Sequence, residues 1–458
     1  MSDHRMSDQA YIRELGDNLL VRWSTAADCE RISDLYDTVF RRDAADSNPF
    51  VRSWTHEMMS GEHPLITAGD FALVEDVRSG VVVAATCLLG QQWSYDGVVL
   101  PVGRPEIVAS LPEYRNKGLV RAVFALIHAR SDARGDLLQG ITGIEYYYRQ
   151  FGYEYALDLG GDRRVPFANI PHLKEGESEQ FTLRDATEAD LPLIQRLYQR
   201  ECTRRHAGAP LLVTTPIDGD YWRYTLRTGN NRQSAEGLHM EVLIDSVGKG
   251  VGYVILQSMR WDEDIGVRGL MVDEGVSLLA ALPSLLRGIQ ALEDTLVLRR
   301  PTVSAASRIK FGLGREHPLY SALGDKIVSE EPPYAWYVRV PDLPALIGQI
   351  RPVLERRLAE SYAVGYSGEL RLSFYRGGLR MVFDAGTLTV VEPWQQDHNW
   401  GPKPHAGFPP LVFLQLLMGH RSLAELRAFL PDVSAEGEAI QLLDILFPRR
   451  LSWALPLE

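Results

Sequence analysis

An α+β chain, built from two tandem copies of one domain and a third, unrelated domain, is what the 458-residue sequence predicts. Three observations carry that reading. First, "RWSTAADCERISDLY" (22–36) and "RDATEADLPLIQRLY" (184–198) share Arg, Thr, Ala, Asp, Ile, Leu and Tyr in register. Thr25 and Thr187 stand 162 residues apart, as do Tyr36 and Tyr198. Second, "YRQFG" (148–152) has a counterpart in "YSALG" (320–324). Third, the patterning changes character after residue 340.

Each copy opens with a strand end and a Thr-x-x-Asp start of an amphipathic helix, the threonine capping and the aspartate near the positive end. Between the copies, "VPFANIPHLKEGESEQ" (165–180) is proline-bearing, charged and aperiodic, and reads as a linker. The domains expected are therefore 1–165, 181–340 and 341–458. In the third, "DLPALIGQIRPVLERRL" reads as a helix and "SGELRLSFYRGGLRMVFDAGTLTVV" alternates like an antiparallel sheet with glycine turns. "PPLVFLQLLMGHRSLAELRAFL" then reads as an apolar helix, a turn and a second helix.

Composition excludes some functions. A net charge of −12 and a pI of 5.5 argue against nucleic acid and suit cationic partners. Three cysteines without close spacing suit a reducing compartment. The polar start has no signal core, and no apolar run reaches about 18 residues. No membrane span and a cytoplasmic location are expected.

The chemistry concentrates in the first copy. "RPEIVASLPEYRNKGLVRAVFALIHA" (104–129) joins a strand to a helix through a basic turn, Arg115-Asn116-Lys117-Gly118. The unpaired N–H groups at the helix start, with a glycine that admits close approach, make a cradle for a pyrophosphate. The matching turn of the second copy, in "LMVDEGVSLLAAL" (270–282), sets Asp273 and Glu274 beside Gly275, and two carboxylates repel a pyrophosphate. "GIEYYYRQFGYEYAL" (143–157) spends three tyrosines where phenylalanine would pack without a hydroxyl to satisfy, so one hydroxyl is expected to have a task. "GKGVG" (248–252) reads as a hairpin turn, since it lacks the Lys-Ser/Thr ending of a phosphate-binding loop. His398, His405 and His420 have no companions at metal-ligand spacing, so no metal is expected.

Taken together, strand, basic turn and "YYYRQFGY" resemble the GNAT superfamily of acetyl-CoA-dependent N-acetyltransferases. The duplication and third domain narrow the resemblance to Eis-type (enhanced intracellular survival) acetyltransferases, through "LPEYRNKGLVRA", "YYYRQFGYE" and "LLMGHRSLAEL". It covers nearly the whole chain. It implies two tandem GNAT-like domains, the second degenerate, plus a C-terminal domain similar to sterol carrier proteins. Val120 stands where the superfamily usually has Gly or Ala, and Eis-type members tolerate larger residues there. The resemblance places Val108, Ala109 and Ser110 against the pantetheine arm of acetyl-CoA. It sets Arg115, Asn116, Lys117, Gly118, Leu119, Val120 and Arg121 around the pyrophosphate, and Gly143 and Ile144 on the next strand beside the coenzyme. Tyr148 takes the general-acid position, and a homohexamer is implied.

The reaction so implied is direct attack of a substrate amine on the acetyl thioester, the acceptor being an aminoglycoside, a polyamine, a lysine or another cationic amine. A tyrosine of pKa about 10 protonating a thiolate of pKa about 8.5 runs uphill by roughly 2 kcal/mol. The site must therefore lower the tyrosine pKa or leave the thiolate poorly solvated. Eis-type chains also return their terminal carboxylate to the active site as proton acceptor. Here that residue is Glu458, after the apolar tail "LFPRRLSWALPLE", with Glu106 as the other candidate base. The competing class is a lipid or small-molecule carrier that uses the fold as a scaffold; the apolar face of 411–429 could hold a lipid, with helical core packing the favoured reading.

Overall fold

In both copies the chain turns from strand to helix on the same device. In the computed structural model, which describes residues 3–41, 47–230, 237–300, 302–396 and 401–457, Asp28 accepts from the Thr25 N–H (2.8 Å) and from both terminal nitrogens of Arg22 (2.8 and 2.7 Å). Asp190 does the same with Thr187 (2.9 Å) and Arg184 (2.8 and 2.8 Å). The aspartate is thus fixed by an arginine of the preceding strand as well as by the helix start. Burial works against its charge and the arginine more than offsets it, so Asp28 ends at about 2.

The first sheet is built from β1 (Ile12–Gly16), β2 (Leu19–Trp23), β3 (Phe71–Asp76), β4 (Val81–Tyr95), β5 (Val98–Ser110), β6 (Leu138–Ile141) and β7 (Glu154–Leu159). The second contains β8 (Asp162–Pro166), β9 (Phe181–Asp185), β10 (Leu238–Asp245), β11 (Gly250–Gln257), β12 (Asp264–Val272), β13 (Arg308–Phe311) and β14 (Ser329–Glu331). "GKGVG" forms the turn between β10 and β11, which pair as a hairpin.

The expected divisions at 165 and 340 do not separate the sheets, because each copy lends the other its last strand. β15 (Tyr334–Arg339) leaves the second copy and inserts between β6 and β7, giving the order β1-β2-β3-β4-β5-β6-β15-β7. Conversely, β8 of the first copy lies between β13 and β14, in the order β14-β8-β13-β12-β11-β10-β9. The exchange fills the same slot in both sheets and ties the two copies together.

The third domain packs a sheet of Gly368–Ser373, Gly378–Asp384 and Thr387–Pro393, extended by two short strands, against helices. The single helix expected from residue 342 is two, Leu343–Gln349 and Arg351–Ala359; Pro352, which has no N–H to bond backwards, opens the second. Phe413, Leu416, Leu417, Leu423 and Leu426 are buried in a core shared with Trp93 and Trp336 of the first sheet, so the apolar face of 411–429 is spent on packing. No described helix is long and apolar enough to cross a membrane.

Candidate active site

β5 and β6 run parallel for only two pairs, Val102↔Leu138 and Gly103↔Gln139. Beyond them β6 turns to β15, while β5 continues beside β4 alone. The edge of β5 from Arg104 to Ser110 therefore lacks a partner strand, and the sheet splits. Within it, Ile107 and Val108 together oppose Thr86, a bulge that puts Ile107 at φ 47°. A β-branched residue there is strained, and the bulge re-aims the backbone at the split.

The split opens on a cleft of about 560 Å³ lined by Val108, Ala109 and Ser110 on one side and by Arg115, Asn116, Gly118, Leu119, Val120 and Arg121 on another. Gly118 takes φ 75° as the residue before helix Leu119–Arg134, which frees that helix's first N–H groups toward the cleft mouth. Arg115, Asn116 and Lys117 are exposed. Lys117 does not line the cleft; its ammonium sits 5.3 Å from the Tyr114 ring centre. An open strand edge, a helix start and Arg115 beside it fit a coenzyme with an amide arm and a pyrophosphate. Gly143 and Ile144 lie just beyond β6 and not on it: the Gly143 carbonyl accepts from Tyr334 (3.0 Å) and the Ile144 carbonyl from Tyr337 (3.0 Å).

A second cleft, of about 360 Å³, meets the first at Phe40, Val108 and Ile144. Glu106 and Tyr148 line it, together with Trp54 and, from the second copy, Trp261 and Arg299. Arg299 stacks 3.7 Å from the Trp261 ring centre. The Tyr148 ring packs between Phe124 and Tyr337 and is 3% exposed, and among the described residues its hydroxyl makes no hydrogen bond. Burial, with Glu106 adding to it, pushes the Tyr148 hydroxyl well above the usual tyrosine range. The lowered pKa that would ease proton donation is therefore absent. Tyr146 is exposed, with its hydroxyl accepting from Arg149 (2.6 Å), and Tyr147 is half-buried packing.

The tail reaches this region. The Leu455 carbonyl accepts from Gln91 (2.9 Å), and the Leu457 carbonyl from Arg104 (2.5 Å). The other terminal nitrogen of Arg104 holds Glu106 at 2.5 Å. Glu458 lies outside the described residues, as does His398. Arg104, wholly buried in a mostly apolar strand, is the residue the sequence reading missed; a charge at an inward strand position is its signal. Trp261 and Arg299 left no such signal, since they come from the other copy.

The matching turn of the second copy is plugged. Asp273 is held by both terminal nitrogens of Arg196 (2.8 and 2.7 Å). Among the described residues, Asp185, His239 and Glu241 form a cluster of metal-ligating types. His239 and Glu241 hydrogen-bond directly at 2.5 Å, closer than two ligands around an ion would stand.

Residues 21–156 match the family model described as the acetyltransferase (GNAT) domain. The first copy is thus similar to GNAT acetyltransferase domains. Among curated proteins none matches the chain by sequence. Among solved structures, a GCN5-related N-acetyltransferase from Anabaena variabilis superposes with a TM-score of 0.63 at 16% identity, covering 95% of this chain and 99% of that one. A protein of unknown function from Enterococcus faecalis, titled a probable N-acyltransferase, gives 0.63 at 15% identity, with 95% and 97% covered. Eis1 from Mycobacterium abscessus gives 0.58 at 14%, with 95% and 99% covered. At these identities the likeness is one of fold, and it extends over all three parts of the chain. The GNAT-like domain thus sits in a larger architecture that other chains share.

Proposed function

We propose that the protein is an Eis-type N-acetyltransferase that moves an acetyl group from acetyl-CoA to a primary amine of a cationic substrate by direct attack. The observation that carries this reading is the junction of the two clefts, where Val108 of the bulged strand, Tyr148 and Glu106 converge. Acetyl-CoA supplies the activated thioester. Arg115, Arg121 and the start of helix Leu119–Arg134 hold its phosphates, and the open edge of β5 pairs with its arm. Glu106, or the tail carboxylate of Glu458, takes the proton that the attacking amine must lose. Tyr148 gives its hydroxyl proton to the sulfur as the carbon–sulfur bond breaks. Its raised pKa is compatible with that role because the same dry site also destabilises a bare thiolate, raising the proton demand of the leaving group alongside. The sterol-carrier-like third domain, a homohexamer and a cytoplasmic location belong to the same reading.

The test uses a panel of amines with acetyl-CoA, following free thiol, on three proteins. Glu106→Gln and a chain lacking its last four residues are each compared with wild type. A tail base requires the truncation to lower kcat by at least about tenfold with folding preserved, the low end of a general base's contribution being about a hundredfold. If truncation is silent and Glu106→Gln is dead, the proton goes to Glu106. Absence of acetyl transfer to every amine sinks the enzyme reading.

A further inference from the structure

A third cavity, of about 270 Å³, lies between the second sheet and the tail. Tyr198, Trp222 and Ile255 wall one side, and Trp453, Leu455 and Leu457 the other. Arg268 also lines it. This side chain is half-buried, and among the described residues it has neither a hydrogen bond nor an ion pair. Of the carboxylates nearby, Asp158 is held by Arg315 (2.8 and 3.0 Å) and one oxygen of Asp162 by Lys310 (2.9 Å), and neither bonds Arg268.

Arg104 follows the last β5–β6 ladder pair, and Arg268 follows the last β12–β13 pair, Val267↔Phe311. Against its antiparallel neighbour Arg104 sits in regular register opposite Leu89, whereas Arg268 is the extra residue of a bulge between Gly269 and Val267. Arg104 binds a carboxylate, Glu106, and a carbonyl, Leu457. Arg268 has no carboxylate two residues on, where Leu270 stands, and borders an aromatic cavity. A guanidinium without a counter-ion at the wall of an apolar cavity attracts an anion more strongly than it would in open water.

We propose that this cavity binds an apolar carboxylate: an aromatic or branched aliphatic body against Tyr198, Trp222 and Leu457, with its carboxylate on Arg268. The planar fork of one arginine matches a carboxylate. Trp261 lines this cavity and the acceptor cleft alike, so the carboxylate has two possible sources. It is either the far end of the acceptor amine, which rests on the function proposed above, or a separate ligand bound against the tail.

The experiment is calorimetry on the full chain without acetyl-CoA, so that a protein without turnover still tests the cavity. The probes are hydrocinnamate and its neutral analogue, hydrocinnamyl alcohol. Hydrocinnamate is expected to bind at least about tenfold tighter than the alcohol, and Arg268→Gln to remove that difference while acetyl-CoA affinity stays unchanged. Arg268→Lys, which keeps the charge without the fork, should fall between, and guards against a Gln variant that fails to fold. Equal binding of acid and alcohol, or unaltered hydrocinnamate binding by Arg268→Gln, overturns the proposal. Phenylalanine then separates the sources. Acetylation of phenylalanine with a KM raised by Arg268→Gln assigns the carboxylate to the acceptor. Hydrocinnamate binding that leaves acetylation of a simple amine uncompeted assigns it to a separate ligand.

Discussion

Tyr148 and Tyr320 occupy equivalent turns of the two copies and do opposite things. Tyr320 is saturated: its hydroxyl accepts from the Leu313 N–H (3.1 Å) and lies 3.1 Å from the Phe311 and Gly314 carbonyls. It is a staple for the loop after β13. Tyr148 has the same ring burial and no such bonds, so its hydroxyl is left facing the acceptor cleft beside Glu106. The turns differ in the same way, since Arg115 lines a cleft where Asp273 lies under Arg196. One ancestral site has kept its polar atoms unspent, and the other has converted them into internal bonds.

The largest expected effect breaks that symmetry directly. Tyr148→Phe should lower kcat by ~10²–10⁴-fold while leaving acetyl-CoA affinity and thermal midpoint nearly unchanged. Tyr320→Phe should do the reverse: it orphans the buried Leu313 N–H and costs about 1–3 kcal/mol of stability with kcat intact. If Tyr148→Phe keeps activity within about threefold, the ring only packs and the comparison fails.

Next comes the coenzyme. Calorimetric titration should find one acetyl-CoA per chain, and Arg115→Glu should weaken it by about tenfold or more through loss of a charge-assisted contact. Asp273→Ala should leave both affinity and stoichiometry alone, since its partner Arg196 is largely exposed. Two equivalent sites would show that the second copy is not blocked.

A smaller effect uses one histidine from each copy. Burial is the main reason that His128 and His317 are both pushed down to about 3. In the unfolded chain each takes up a proton near pH 6.5, so below that pH the unfolded state binds protons that the folded state refuses. Stability therefore falls as pH drops from about 6.5 toward 3, by up to about 1.4 kcal/mol per pH unit for each histidine. Denaturant midpoints at pH 7 and pH 5 measure it, and a His128→Gln variant should flatten the slope by roughly half. An unchanged slope would mean that His128 accepts a proton in place. The smallest effect is on encounter: if the net charge of −12 steers cationic acceptors, kcat/KM for a polyamine should fall a few-fold as salt rises. Flat salt dependence leaves the charge a matter of solubility.

The sequence by itself determined the local devices. Thr25–Asp28 and Thr187–Asp190, the basic turn before helix Leu119–Arg134 and the acidic turn at Asp273 are short-range patterns, readable because their partners lie within a few residues. Even the alternating strands of the third domain could be read, since a strand's periodicity records which face is buried. Which sheet a strand joins is another matter. β8 and β15 carry the pattern of strands, but the two copies offer equivalent slots, so nothing local distinguishes staying from crossing over. Only the tertiary structure decided that exchange. With it came the contacts between distant segments: Trp261 and Arg299 at the acceptor cleft, the Leu457 carbonyl on Arg104, and Arg268 left without a partner. Those contacts join residues hundreds of positions apart, and no pattern along the chain encodes a neighbour that only folding brings near.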